Sequence, residues 1–210
     1  MTIKDNILVV LKKGNADEDE DIYQNVLNST IAWIKDQSKN FKYNELKKVV
    51  EIPVASGSKY VDLPDDYNKI ENAVLIKDNL QYYLGVYDIK DIEGKREIYG
   101  IPTMIAVDYP QRKLCFYPYP NTDYVLRLRY YSFYSDLTED DEVFLPDKII
   151  QQVAYIYLLQ YDRLDSTVEE MKLDKMLNEF RRNDTLDLDG NVRINLSKNV
   201  YRVKKYNFRL

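Results

Sequence analysis

Tyr124-Val125-Leu126-Arg127-Leu128-Arg129-Tyr130-Tyr131 alternates without interruption. Successive side chains of an extended chain point to opposite sides, so Tyr124, Leu126, Leu128 and Tyr130 share one face and Val125, Arg127, Arg129 and Tyr131 the other. The pattern predicts a strand over 123–133. Working outward, Pro118-Tyr119-Pro120-Asn121-Thr122 is a turn into that strand. Before it, apolar runs at 103–109 and 113–117 flank the turn Pro110-Gln111-Arg112. Runs at 73–76 and 80–87 flank Lys77-Asp78-Asn79, and runs at 48–54 and 59–63 flank Ala55-Ser56-Gly57-Ser58. Residues 88–99 are charged and contain Gly94, which predicts a loop or short helical turn. Read as successive hairpins, the block from 48 to 135 is an antiparallel meander.

Helical periodicity brackets this block. Asp17-Glu18-Asp19-Glu20-Asp21 places acids where a helix N-terminus favours them. Ile22, Tyr23, Val26, Leu27, Thr30, Ile31 and Ile34 then recur at spacings of three and four, which predicts a helix at about 19–38. Ile7 to Leu11 is a short apolar run with no assigned role. After an acidic loop over 136–142, Leu145-Pro146-Asp147 opens a second helix with Pro at its first position. Its stripe is Ile149, Ile150, Val153, Ala154, Tyr157, Leu158 and Tyr161, of which the first six are expected to face Val26, Leu27, Ile31 and Ile34 of the first helix. Ser166-Thr167-Val168-Glu169 has capping-box spacing and leads a third helix whose apolar face is Val168, Met171, Met176, Leu177 and Phe180. The expected fold is therefore α+β. Residues 1–47 and 136–183 form a small helical bundle of one N-terminal and two C-terminal helices. Residues 48–135 form the antiparallel β-rich insertion, and 184–210 an extended basic C-terminal tail.

Composition narrows the function. The 210 residues include no His, the side chain that most often serves acid–base catalysis near neutral pH, so the chain is not expected to be an enzyme. The single Cys115, in the run Leu114-Cys115-Phe116-Tyr117, allows no intrachain disulfide and no cysteine zinc site, and reads as a buried small side chain. There is no phosphate-binding glycine loop and no G-x-S-x-G. Asp187-Leu188-Asp189-Gly190 resembles the centre of a calcium loop, but Thr185 and Leu196 then occupy the first and last ligand positions, so no metal is expected. Asp65-Asp66 and the acids over 139–142 are the remaining paired carboxylates, at places where turns and helix starts favour acids anyway. No cofactor is expected. No apolar run reaches the roughly 18 residues of a membrane span, and the N-terminus lacks the apolar core and cleavage site of a signal peptide.

Charge and tyrosine point toward assembly. Residues 191–210 carry six bases and no acid, so the net −5 of the chain becomes −11 for the remainder. An acidic body is a poor grip for nucleic acid, whereas a basic tail on it suits docking onto an acidic neighbour. The tail's candidate contacts are Arg193, Lys198, Tyr201, Arg202, Lys204, Lys205, Phe208 and Arg209. Val192, Ile194 and Leu196 alternate at strand spacing, as do Tyr201 and Val203, which fits strand addition or groove binding on another chain; a DNA-binding tail is the competing reading. Twenty Tyr suit surfaces that become interfaces, although a nucleotide bias raising Tyr, Asn, Lys and Ile together accounts for them equally well.

The order of several short motifs resembles a known family. Tyr60-Val61-Asp62-Leu63-Pro64-Asp65-Asp66-Tyr67 is followed by Gly100-Ile101-Pro102 and then by Leu114-Cys115-Phe116-Tyr117-Pro118-Tyr119-Pro120. The strand 124–131 and the helix opening Leu145-Pro146-Asp147 complete the series. Over residues 20–183 this resembles the head-to-tail adaptor, or connector ring, proteins of tailed bacteriophages, especially short-tailed ones. The resemblance implies a homo-oligomeric virion ring, commonly a dodecamer, under the portal. It implies a structural role at the head–tail junction, with the portal protein and a tail or nozzle protein as partners. DNA would pass through only as cargo, and no membrane is involved; the subunit would be made in the host cytoplasm. Other classes remain: another virion ring or tail-hub component, a carbohydrate-binding or adhesion module stacking sugars on Tyr, or a carboxylate-dependent hydrolase.

Overall fold

The computed structural model describes residues 1–14, 16 and 19–184. Four helices flank a β-rich block, so the chain is α+β as its periodicities predict. The helices are α1 Ile3–Lys13, α2 Glu20–Asn40, α3 Asp147–Tyr161 and α4 Thr167–Asp184. The strands are β1 Lys47–Val54, β2 Tyr60–Asp62, β3 Tyr67–Lys77, β4 Leu80–Tyr83, β5 Gly85–Tyr87, β6 Tyr99–Gly100, β7 Met104–Asp108, β8 Lys113–Tyr117, β9 Tyr119–Pro120 and β10 Tyr124–Ser132.

α1 is an addition to the expected bundle. The Thr2 hydroxyl accepts from the Asp5 backbone N–H and the Asp5 carboxylate accepts from the Thr2 N–H, which closes a capping box. Ile3, Ile7, Val10 and Leu11 then line one face and are buried. Those four residues join Val26, Leu27 and Ile34 of α2 and Ile150, Ala154 and Leu158 of α3 in one core. The α3 stripe thus divides. Ile149 and Val153 turn instead to Leu173 and Leu177 of α4, together with Ile156, which lies outside the expected stripe. Tyr161 is exposed. A helix gripped on both sides buries more than one stripe, which a single-face reading undercounts.

The expected face of α4 holds at Met176, Leu177 and Phe180 and is corrected at its start. Val168 and Met171 are exposed, and Leu173 and Leu177 make the contact with α3. The capping box foreseen at Ser166 does not form. The Asp165 carboxylate accepts from the Thr167 N–H at 3.0 Å, and the Ser166 hydroxyl donates to Glu170 at 2.6 Å. Pro146 is the residue preceding α3, one position earlier than expected. At α2 the Asp19 carboxylate caps the backbone N–H groups of Asp21 and Ile22, which is the role expected of the acidic run.

The β block is not a meander. One sheet has the order β1-β10-β3-β4 and a second β2-β8-β7-β5, with a small β6-β9 pair. Only β3–β4 and β7–β8 are hairpins. β1 and β2, expected to pair, go to different sheets. β1 pairs with β10, from Lys47 opposite Tyr131 to Val54 opposite Tyr124. The β5–β7 and β6–β9 pairs are parallel.

Tyr124, Leu126, Leu128 and Tyr130 of β10 do point inward, and meet Ile105, Val107, Leu114 and Phe116 of the second sheet in a shared core. Cys115 and Ala106 lie on the opposite face of that second sheet and are buried too. This double burial explains why 104–108 and 113–117 read as continuous apolar runs rather than alternating ones.

An aromatic cluster joins the two regions. Tyr43, 1% exposed, sits against Phe144 and Phe180 with ring centroids 4.4 and 5.7 Å away. Arg181 donates to Gln37 at 2.8 Å and to the Tyr43 hydroxyl at 3.3 Å. The Ser132 hydroxyl donates to the Leu46 carbonyl at 2.9 Å, and the Tyr134 N–H to the Ser38 hydroxyl at 3.1 Å. Both chain crossings between helices and sheets are therefore tied by buried polar contacts.

Candidate subunit interface

β1 and β4 are the two outer strands of the first sheet. β1 carries Lys47, Lys48, Glu51 and Pro53. Glu51 lies opposite Arg127 and pairs with it at 2.7 Å, and Lys47 pairs with Glu71 at 2.6 Å. Lys48 lies 2.5 Å from Asp66, which also accepts from the Tyr130 hydroxyl at 2.8 Å. Burial pushes the Asp66 carboxyl up, but these two donors outweigh it and hold the group below the usual carboxylate range. An edge bearing charges and a proline discourages the addition of another strand.

The opposite edge has neither guard. Residues 79–87, Asn79-Leu80-Gln81-Tyr82-Tyr83-Leu84-Gly85-Val86-Tyr87, contain no charge and no proline. The Leu84 N–H donates to Ala73 at 3.1 Å within the first sheet, and the Gly85 N–H donates to Thr103 at 2.9 Å within the second. One continuous segment thus forms the edge of both sheets. Leu80 is 59% exposed, Tyr83 70% and Val86 53%. Gly85 allows the step between sheets to pass under an aromatic ring, because a Cβ there would lie 2.6 Å from Tyr87 Cε2. An uncharged, exposed, apolar edge is open to the addition of another strand. A second exposed apolar group, Leu164, Val168 and Met171, surrounds the α3–α4 connection.

Of the paired carboxylates singled out in the sequence, Asp66, Glu139 and Asp141 make contacts that serve the fold. Glu139 accepts from Lys4 at 2.7 Å and from the Tyr23 hydroxyl at 2.5 Å, so it links the acidic loop to α1 and α2. Those two donors, Lys4 first, hold its carboxyl below the ordinary range. The Asp141 carboxylate accepts from the Thr138 N–H at 2.7 Å. Burial pushes the Cys115 thiol up to about 11, which keeps it protonated at neutral pH. Among the described residues no group of three or more acidic or cysteine side chains is placed to hold a metal ion. Nor is any described helix long and apolar enough to cross a membrane.

The tail residues Arg193, Lys198, Tyr201, Arg202, Lys204, Lys205, Phe208 and Arg209 lie outside the described residues, as does Asp187-Leu188-Asp189-Gly190. The point from which the tail departs is described. Asp184 accepts from the Asn44 backbone N–H at 3.1 Å, and its carbonyl accepts from the Asn44 side chain. Burial, helped by a hydrogen bond with the neighbouring Glu45 carboxyl, pushes the Asp184 carboxyl up to about 6. Asn44 is three residues before β1, so Asp184, the last described residue, lies near the N-terminal end of that strand.

A model of the family described as SU10 adaptor protein matches residues 1–194. The match runs through both cores and into the start of the basic tail. No curated protein matches the chain.

Proposed function

The chain belongs to the SU10 adaptor protein family, and from that premise we propose that it is the subunit of a homo-oligomeric ring at the head–tail junction of a short-tailed phage. Membership makes the chain a phage adaptor with a structural role in the virion. Beyond that, the ring extends the portal channel, docks the tail or nozzle protein and lets DNA pass without gripping it. Twelve copies would match the ring that the motif series implies. The chain performs no catalysis. The observation that carries this reading is the family match over both cores. The net −11 outside residues 191–210 supports it, because phosphates sliding past an acidic lumen meet few cations. The basic tail contacts another protein chain through Arg193, Lys198, Tyr201, Arg202, Lys204, Lys205, Phe208 and Arg209.

The test is co-assembly of the purified full chain with the portal protein of the same phage, viewed by electron microscopy. Closed rings seated on the portal are expected. A chain that remains monomeric with the portal present would overturn the reading. Truncation after Asn183 should leave a folded protein that fails to join the assembly in the absence of DNA. Normal assembly of the truncated chain, with lost DNA affinity, would make the tail a nucleic-acid contact instead.

A further inference from the structure

We propose that the uncharged edge formed by β4 and β5 receives the tail of a neighbouring copy as an added strand, an inference that rests on the ring reading above. Three observations carry it. First, this edge is unguarded while β1, at the other side of the same sheet, is guarded, so the first sheet has one edge suited to pairing. Second, the described chain ends at Asp184 beside Asn44, near the N-terminal end of β1. In a ring each contact joins one patch to a different patch on the next copy, so the β1 side of one subunit can face the β4 side of its neighbour. Fully extended, the chain from Asp184 reaches up to about 26 Å to Val192 and about 40 Å to Leu196, enough to cross such a contact. Third, the chemistry matches. Residues 78–93 hold Asp78, Asp88, Asp91 and Glu93 against the single base Lys90, while 191–210 hold bases only.

The register can be specified. Lys77 lies opposite Leu80 and Leu75 opposite Tyr82, and Leu84 N–H bonds Ala73, so the backbone groups of Gln81 and Tyr83 face the open side. Leu80, Tyr82 and Leu84 share the inner face of β4, and Tyr83 lies on the outer face. A strand over 192–196 has two possible settings, and a shift of one residue exchanges its faces. The favoured setting puts Val192, Ile194 and Leu196 beside Leu80 and Tyr82, covering the rim of the sandwich. Arg193 then lies beside the exposed Tyr83 ring, where a guanidinium is attracted to the aromatic face.

Photo-crosslinking of the full chain tests this. A benzoyl-phenylalanine replaces Tyr83, and isotopically light and heavy chains are mixed before assembly. Light–heavy cross-links from position 83 to residues within 190–204 are expected. Links confined to a single chain, links to a different segment, or no link in assembled material would each overturn the proposal. As a second measurement, Tyr83→Lys with Leu80→Lys should lower ring yield at least tenfold with the melting temperature unchanged. Normal rings from the edge variant would sink the strand-addition proposal and leave the adaptor reading standing. Failure of the unaltered chain to join its portal would sink the adaptor reading itself.

Discussion

The helical core draws Ile3 to Ile34 from one end of the chain and Leu145 to Leu158 from the other, whereas the sandwich core lies wholly within residues 54–130. Each is closed by a late segment for a different reason. β10 is the inner strand between β1 and β3, so the first sheet has no centre until residues 124–132 arrive. The helical core lacks one wall until α3 packs between α1 and α2 on one side and α4 on the other. Contiguity in sequence therefore does not make the sandwich local: its longest-range ladder joins Lys47 to Tyr131. Long-range pairing of this kind is slow to close compared with helix formation.

Substitutions in the two cores test how independent they are. Phe116→Ala removes a fully buried ring from the sandwich and should cost about 3–5 kcal/mol. Ile34→Ala in the bundle should cost about 2–5 kcal/mol. If the regions open as separate units, hydrogen exchange will report each loss only in its own region. A loss spread equally over both would mean that the Tyr43, Phe144 and Phe180 cluster welds them into one unit.

Thr2→Ala removes the α1 cap and should cost about 1 kcal/mol in a urea titration, with exchange rising first at residues 3–7. An unchanged midpoint would mean that α1 is held by packing alone.

The junction offers a pH test. Because the Asp184 carboxyl is raised to about 6 in the folded chain, the native state holds its proton more tightly than the unfolded one. Its stabilising contribution is complete below the ordinary carboxylate value near 4 and is lost as pH rises through about 6. Asp66 and Glu139, held low, act in the opposite direction and lose their contribution as pH falls. Subtracting the melting profile of Asp184→Asn from that of the unaltered chain should isolate a decline between pH 4 and 6. A flat difference would remove Asp184 from the junction's energetics. The smallest effect is expected at Met171→Ala on exposed α4 surface, within about 0.5 kcal/mol; a larger cost would show that this side chain is covered in the isolated chain.

Local pattern was enough for much of this molecule. The inward set of β10 was legible because the period of two is a property of the chain itself, and α2 was legible because Asp19 caps it and its apolar residues keep a helical period. The same information was present for α1, in Thr2, Asp5 and the spacing of Ile3, Ile7, Val10 and Leu11, but an eleven-residue helix stands out less than a long one. The candidate interface was partly legible. The basic tail is a composition signal, and the absence of charge over 79–87 can be counted, but a run of apolar residues has the same appearance whether it lies inside a sheet or at its rim.

The sequence by itself determined the class, α+β with helices on either side of a β-rich block, and the chain's division into an acidic body and a basic end. Only the tertiary structure decided which strands are neighbours. Hairpin reasoning links segments joined by short turns, but β1 and β2 separate across Gly57 into two sheets because each finds a longer or better-buried partner elsewhere. It also decided that Ile149 and Val153 face α4 while Ile150 and Ala154 face α1 and α2. The physical reason is common to both cases. Periodicity states which side of an element is apolar, but burial is shared between surfaces brought together by distant parts of the chain, and no local pattern encodes the identity of the opposing surface.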